Sequence, residues 1–131
     1  MKKLLAVLTL LASVAVSAEV IHLQSFDQHR KLIESKKPIV YMFGADWCGY
    51  CKEAYPDFVK AEKLYKGKVL FIYIDTDKIQ ANVPYLPSYA VGDKDPMKNR
   101  SIFDQESLNK IESRDVEGLK KFIKEYLKVS L

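Results

Sequence analysis

The chain contains two cysteines, and they are separated by two residues in the run Ala45-Asp46-Trp47-Cys48-Gly49-Tyr50-Cys51-Lys52. One turn of helix brings the sulfurs of such a pair together, so the pair can exist as a dithiol or as a disulfide. The surrounding pattern predicts a strand before the pair, a short turn, and a helix that begins at the pair. Because the chain has no third cysteine, its redox partner must be another molecule.

The sequence gives less support to two other roles for the cysteine pair, a structural disulfide and a zinc site. A disulfide across two residues removes little entropy from the unfolded chain, so it is a poor structural staple and a better redox switch. A structural zinc site normally takes four ligands. The chain offers only this pair and two distant histidines, His22 and His29. We therefore expect no metal and no cofactor.

The first 18 residues have the pattern of a secretory signal peptide. Lys2 and Lys3 precede an apolar run over residues 4–16, which is short for a membrane span, and small residues follow at 16–18. We predict cleavage after Ala18, with an uncleaved N-terminal anchor as the alternative. Export to a bacterial periplasm is the expectation, and secretion to the medium is also open.

Residues 19–131 are expected to form a single domain. Cleavage of 18 residues from 131 leaves 113, enough for one domain with a modest core. Those 113 residues carry 19 basic and 17 acidic side chains, which are interspersed. A nearly balanced chain without a basic stripe does not indicate nucleic-acid binding. In the absence of an obvious dimerisation element, we expect a monomer.

Hydrophobic periodicity and punctuation by proline and glycine predict alternating strands and helices. Predicted strands are 20–23, 39–43, 69–74, 88–91 and 101–103; predicted helices are 28–36, 50–65 with Pro56 inside, and one that follows Asp115. Residues 94–100 are polar and predicted to be a loop. This order indicates an α/β fold, a mixed sheet with helices on both faces.

The run from Trp47 to Lys52, after a strand that ends at Phe43, resembles the active-site motif of the thioredoxin superfamily. Leu86-Pro87-Ser88-Tyr89 supplies the second element expected of that superfamily, a proline just before a strand. The resemblance covers the whole predicted domain in element order and implies a thioredoxin-like fold and thiol–disulfide exchange. Cys-Gly-Tyr-Cys itself is similar to the motif of the periplasmic disulfide isomerase.

The resemblance implies a role for each cysteine. Cys48 would lie at the helix N-terminus, partly exposed, where unpaired N–H groups and the helix dipole stabilise its thiolate. It would be the nucleophile that attacks a client disulfide. Cys51, one turn further and more buried, would resolve the mixed disulfide.

Substrate-binding roles are implied for residues near the motif and near the proline. Trp47, Gly49 and Tyr50 would shape the docking surface, although Trp47 could instead be core packing. Pro87 would be a cis-proline that leaves the backbone of Leu86 free to pair with an extended client segment. Pro84 is the alternative position for the cis bond.

Two positions depart from the thioredoxin pattern. Met42 stands where thioredoxin has a buried acidic residue, and Phe71 stands where the next strand normally offers a lysine. Proton transfer to Cys51 must therefore use water or another group. Asp46 is close in sequence but is predicted to face solvent.

These observations predict an exported thiol–disulfide oxidoreductase that acts on client proteins, with reductase or isomerase work favoured over disulfide formation. A membrane-bound thiol donor or acceptor is the expected redox partner. The alternatives are a disulfide-forming oxidant and a non-catalytic binding module of the same fold. A buried Cys48 favours the binding module, and an accessible Cys48 favours the enzyme.

Overall fold

The computed structural model describes residues 19–92, 102–104 and 107–131. The predicted signal peptide and the predicted loop 94–100 lie outside these residues. Within the described ranges, eight elements follow one another: β1 Ile21–His22, α1 Phe26–Glu34, β2 Ile39–Gly44, α2 Gly49–Tyr65, β3 Leu70–Asp75, β4 Ser88–Gly92, β5 Leu108–Asn109 and α3 Val116–Leu127.

The five strands form one mixed sheet in the order β1-β3-β2-β4-β5. Strands β1, β2 and β3 are parallel, β4 runs antiparallel to β2, and β5 runs antiparallel to β4. All six residues of the central strand β2 are buried. Burial on both faces explains why this strand is a continuous apolar run rather than an alternating one.

The two faces of the sheet carry separate cores. Val40 and Met42 point into a cluster with the apolar faces of α2 and α3. Tyr41 and Phe43 point to the other face, where Leu32 of α1 packs. Alternate residues of one strand therefore bury against helices on opposite sides, which confirms the predicted α/β architecture.

The prediction of a last strand at 101–103 is wrong. Residues 102–104 form a turn, Ser101 lies outside the described residues, and β5 is instead Leu108–Asn109. Ile102 is apolar because it fills the core on the α1 side of the sheet, where it is 2% exposed. Core burial and strand pairing leave the same apolar signal in such a short segment.

The first helix begins and ends two residues earlier than predicted. Ser25 is its N-cap, and the hydroxyl of Ser25 accepts a hydrogen bond from the Gln28 amide at 3.1 Å. An N-cap hydroxyl satisfies one of the free amides of the first turn, which fixes the start of α1 at Phe26. In the part of the chain that is described, no helix has both the length and the apolar character needed to cross a membrane.

Candidate active site

The cysteine pair lies at the junction between the central strand β2 and the start of helix α2. Cys48 is the N-cap of α2, and Cys51 lies in its first turn. The two sulfurs are joined in a disulfide, with the Cα atoms 5.2 Å apart. The Cys48 sulfur also accepts a hydrogen bond from the Cys51 amide at 3.1 Å. The structure therefore holds the pair in its oxidised state at a helix N-terminus.

This position favours negative charge on the Cys48 sulfur once the disulfide is reduced. The first amides of a helix lack intrahelical acceptors, and the helix dipole adds partial positive charge there. A thiolate at such a place is stabilised and reactive. The local electrostatics thus agree with the role expected of Cys48.

Cys48 is less accessible than expected. It is 5% exposed, against 2% for Cys51, so both residues are buried and only their order agrees with the prediction. In the oxidised state the Cys48 sulfur is covered by Cys51 and by the start of α2, which accounts for the low exposure. The residues around it, in contrast, are open to solvent.

Trp47 and Tyr50 project from the surface on either side of Cys48. Trp47 is 70% exposed and Tyr50 is 67% exposed, so core packing is the wrong reading of Trp47. The Trp47 indole donates a hydrogen bond from Nε1 to Oδ1 of Asp77 at 3.2 Å, which fixes the ring beside the motif. Gly49, also exposed, leaves the space between them open, since a Cβ at Gly49 would meet no atom within 4 Å.

The Leu86–Pro87 peptide bond is cis, and it is the one cis bond among the described residues. The bond before Pro84 is therefore not cis. Pro87 is buried at the start of β4, and Leu86 is half-buried against the core that contains both cysteines. The second motif thus lies at the same end of the sheet as the first.

A groove of about 390 Å³ runs beside this proline, and we call it the Pro87 groove. Its lining combines aromatic, apolar and basic side chains: Tyr50, Tyr85, Leu86, Pro87, Ser88, Tyr89, Asn109, Lys110, Ile111 and Arg114. The Arg114 guanidinium lies 5.7 Å from the centre of the Tyr50 ring, a cation–π contact. Among the described residues that line it, the groove carries two cations and no carboxylate. It therefore brings together Tyr50, Leu86 and Pro87, three of the predicted substrate-binding residues.

A second cavity, of about 280 Å³, lies beside Cys51, and we call it the Cys51 cavity. Eight residues line it: His22, Ala45, Asp46, Cys51, Lys52, Tyr55, Pro56 and Tyr73. It is large enough to admit water to a cysteine that is otherwise buried. Pro56 has no N–H to give to the Lys52 carbonyl, so a backbone acceptor in this wall is left without its helical donor.

Three rings meet at the Cys51 cavity. Nε2 of His22 and the hydroxyl of Tyr55 are 2.6 Å apart. The ring centres of His22, Tyr55 and Tyr73 are 5.2–5.6 Å from one another. Burial raises the pKa of Tyr55, and burial followed by the nearby Asp75 and Asp46 carboxylates raises the pKa of Tyr73 to about 12. Both hydroxyls therefore keep their protons at neutral pH.

The wall of the sheet beneath Cys51 is apolar. Met42 and Phe71 are 0% and 1% exposed and belong to the same buried cluster as Cys51. Asp46 is exposed, as predicted, although it also lines the Cys51 cavity. Met42 and Phe71 do not titrate, so neither can exchange a proton with Cys51. The polar side chains that line the Cys51 cavity are the remaining candidates.

Sequence reasoning missed the residues that distant elements contribute. Tyr55 stands four residues after Cys51, a spacing that places both on one helix face, and could have been found that way. His22 reaches the site only because β1 pairs with β3, and Arg114 only because the segment before α3 returns beside Tyr50. In the described part of the chain no cluster of three or more His, Cys, Asp or Glu side chains could hold a metal ion.

A family model described as thioredoxin matches residues 18–125. The chain belongs to the thioredoxin family. Its strand order, its three helices and the placing of the cysteine pair are accounted for by that membership, and the predicted thioredoxin-like fold is confirmed.

Curated relatives are similar over parts of the chain. A thioredoxin H-type of Chlamydomonas reinhardtii is 46% identical over 48 residues, which are 37% of this chain and 42% of that protein. Protein disulfide-isomerase A4 of Homo sapiens is 31% identical over 97 residues, 72% of this chain and 15% of that protein. The chloroplastic thioredoxin-like protein HCF164 of Arabidopsis thaliana is 41% identical over 49 residues, 37% of this chain and 19% of that protein. The matched segment thus spans less than half the length of each of these relatives.

Solved structures share the fold at low sequence identity. The thioredoxin of Plasmodium falciparum superposes with a TM-score of 0.62 at 23% identity, covering 82% of this chain and 99% of that one. The Trx4 domain of ERdj5 superposes with a TM-score of 0.60 at 23% identity, covering 84% and 96%. These likenesses concern the fold.

Proposed function

We propose that this protein is an exported thiol–disulfide oxidoreductase that exchanges disulfides with client proteins through Cys48 and Cys51. One observation carries the proposal. The pair lies at the N-terminus of α2 with the Cys48 sulfur bonded to Cys51 and hydrogen-bonded to the Cys51 amide. The relatives, which include a thioredoxin and a protein disulfide-isomerase, support the same class of chemistry.

In the reducing direction the exchange has two steps. The Cys48 thiolate attacks one sulfur of a client disulfide, which forms a mixed disulfide and releases one client thiolate. The Cys51 thiolate then attacks the Cys48 sulfur, and the second client thiolate leaves. The client gains two electrons and two protons, and the protein is left with the Cys48–Cys51 disulfide that the structure contains.

The client would lie across Trp47, Gly49 and Tyr50 and along the Pro87 groove. Tyr50 and Tyr85 are 67% and 66% exposed and offer large apolar surfaces that lose little conformational entropy on binding. Leu86 and Pro87 would face the extended client segment, in a β-type mode of recognition. Lys110 and Arg114 would favour clients that carry acidic side chains near the cysteine.

We favour reductase or isomerase work, with a membrane-bound thiol protein as electron donor and the periplasm as the place of action. The residues between the cysteines, Gly49 and Tyr50, include no histidine of the kind that stabilises the thiolate and makes a disulfide more oxidising. A disulfide-forming oxidant is the second candidate. The reduction potential separates the two, because thioredoxin has a value near about −270 mV and the strong periplasmic oxidant has one near about −120 mV.

The third candidate is a binding module that docks partners without exchange. The low exposure of Cys48, 5%, is the observation that favours it. Against it, the three residues beside Cys48 that would meet a client, Trp47, Gly49 and Tyr50, are all exposed. Whether clients can be trapped as mixed disulfides decides between the oxidoreductase and the binding module.

We expect Cys48→Ser to abolish the reduction of insulin in an assay in which dithiothreitol returns the protein to its reduced form, because the attacking sulfur is lost. Cys51→Ala should instead accumulate mixed disulfides with clients, since the first step proceeds and the second cannot. Turbidity of insulin and non-reducing electrophoresis measure the two results. Activity retained by Cys48→Ser, or no trapped species with Cys51→Ala, would contradict the proposal and leave the binding module.

A further inference from the structure

Cys51 must lose a proton before it can resolve a mixed disulfide, and the groups that could take this proton face the Cys51 cavity. Cys51 is 2% exposed and belongs to the same buried cluster as the apolar side chains of Met42 and Phe71. An apolar surrounding opposes thiolate formation, so a buried resolving cysteine without a proton acceptor would be slow. A proton acceptor for Cys51 would therefore have to face the Cys51 cavity, which opens on the other side of the residue.

The hydrogen-bonded pair of His22 and Tyr55 stands in that opening. Tyr55 lies one helical turn after Cys51, a spacing that puts the two Cβ atoms about 5–6 Å apart on the same face. Its hydroxyl is 2.6 Å from Nε2 of His22, and His22 is itself exposed to solvent. The pair thus connects the buried end of the cavity with the surface.

The other groups around His22 are weaker candidates. The titratable and charged side chains that share the cavity with it come from three elements: Asp46 from the turn after β2, Cys51, Lys52 and Tyr55 from α2, and Tyr73 from β3. A carboxylate is a much weaker base than an imidazole, and a lysine carries its proton already at neutral pH. Imidazole exchanges protons in the physiological range, which suits it to this task.

We propose that His22 accepts the proton of Cys51 across the Cys51 cavity and that Tyr55 positions the imidazole and passes the proton on. This inference rests on the proposed function, because it concerns the resolving step. The Tyr55 hydroxyl donates its proton to Nε2 of His22 and takes the Cys51 proton in exchange. The Cys51 sulfur then attacks the Cys48 sulfur, the bond between Cys48 and the client breaks, and His22 releases its proton to solvent.

The geometry of the rings keeps this route in place. Tyr73 contacts both His22 and Tyr55, with ring centres 5.2 Å and 5.3 Å away, and holds the pair against the cavity. The raised pKa values of Tyr55 and Tyr73 keep both hydroxyls protonated, so neither competes with His22 as a base. Tyr73 is therefore a positioning residue, whereas Tyr55 both orients the imidazole and carries the proton.

The test separates the two steps with a small aromatic disulfide, 5,5′-dithiobis(2-nitrobenzoic acid). Reduced protein releases one coloured thiolate when Cys48 attacks and a second when Cys51 resolves. The leaving thiolate is a weak base and needs no proton, so the second phase reports deprotonation of Cys51. Stopped-flow absorbance gives both rates between pH 5 and pH 9.

We expect His22→Gln to slow the second phase at least about tenfold at pH 7, in line with the loss of a general base, and to leave the first phase unchanged. The rate of the second phase should then rise with pH as an isolated thiol ionises. Tyr55→Phe keeps the ring packing and loses the hydroxyl, so it should produce the same shift of the pH profile to a smaller extent. Tyr126→Phe removes a hydroxyl from a half-buried tyrosine of α3 and is the matched control for Tyr55→Phe. Both phases of this variant should have the rates of the parent protein.

The outcomes distinguish this inference from the proposed function. If the parent protein releases only one thiolate, or if Cys48→Ser releases its single thiolate through Cys51 as fast as the first phase of the parent protein, the proposed function fails. If the parent protein shows two phases and both His22→Gln and Tyr55→Phe preserve the rate and pH profile of the second, the relay is wrong and the proposed function stands. A second phase that is slowed by Asp46→Asn and not by His22→Gln would assign the proton to Asp46 and overturn our proposal.

Discussion

At the scale of single residues, the approach of Tyr73 to Gly44 shapes the site as much as the cysteines do. A Cβ placed on Gly44 would lie 2.5 Å from the Tyr73 hydroxyl oxygen and 2.9 Å from two ring carbons. Gly44 is the last residue of β2, directly before the turn that leads to the motif. The absence of a side chain there lets Tyr73 lie over the backbone and join His22 and Tyr55.

We expect Gly44→Ala to lower the free energy of unfolding by about 1–3 kcal/mol, the usual cost of overpacking a close contact. The Tyr73 ring is 8% exposed and touches two other rings, so it has little room to move. Urea unfolding followed by fluorescence measures the change. Gly49→Ala is the control, since its Cβ meets nothing within 4 Å; a cost equal in the two variants would contradict the explanation.

The position of the cysteines at the start of a helix could be predicted from sequence, but their surroundings could not. Cys48 and Cys51 are three positions apart in the chain, so spacing alone places them on one helical turn. His22 and Tyr55 are 33 residues apart and meet only through the strand order β1-β3-β2. Contacts of that kind depend on topology, and a single sequence carries no local signal for them.

At the scale of elements, α3 shows how a local preference can be overruled by packing. Asp115 caps the helix, and its carboxylate accepts a hydrogen bond from the Gly118 amide at 2.7 Å. Gly118 is unfavourable in a helix by its propensity. It is accommodated here because a Cβ at that position would run into the backbone carbonyl of Ser113.

Gly118→Ala should therefore destabilise the protein, although the same change in an open helix stabilises by up to about 1 kcal/mol. The nearest obstructing atoms belong to the Ser113 backbone, which cannot relieve the clash by a change of rotamer as a side chain can. The midpoint of thermal unfolding is the measurement. Lys124→Ala, at an exposed position of the same helix, should change it little, and a gain in stability for Gly118→Ala would refute the clash.

Long elements with strong patterns were predicted to within one or two residues, and the shortest one was not. Strand β2 and helix α2 have a continuous apolar run and a helical repeat over many residues, which leave little ambiguity. Strand β5 has two residues, Leu108 and Asn109, which pair with Ala90 and Tyr89 of β4. Two residues carry no periodicity, so the sequence favoured the apolar Ile102 and Phe103 instead.

At the scale of the whole molecule, His29 links stability to pH. It is 4% exposed, 2.7 Å from the Tyr41 hydroxyl, and burial lowers its pKa from 6.5 to about 4. In the unfolded chain the imidazole binds a proton below about pH 6.5, whereas in the folded protein it does so only below about pH 4. Unfolding is therefore favoured by protonation of His29 as the pH falls through this window.

The free energy of unfolding should fall by about 2 kcal/mol from this group between pH 7.5 and pH 5, from the linkage of the two pKa values. Denaturant unfolding at a series of pH values measures it. His29→Gln keeps a hydrogen-bonding partner for Tyr41 and cannot titrate, so its stability should depend less on pH in this range. An unchanged slope in that variant would assign the pH dependence to other groups.

Among the residues that the structure describes, the sheet ends on both sides in a strand of two residues, β1 and β5. An exposed strand edge is a template on which another chain can add, and a long flat edge invites chains to stack into aggregates. Two residues present too few free backbone groups to hold an incoming strand in register. The outer edges formed by β1 and β5 thus leave little room for another chain to pair with a sheet whose interior strands are almost wholly apolar.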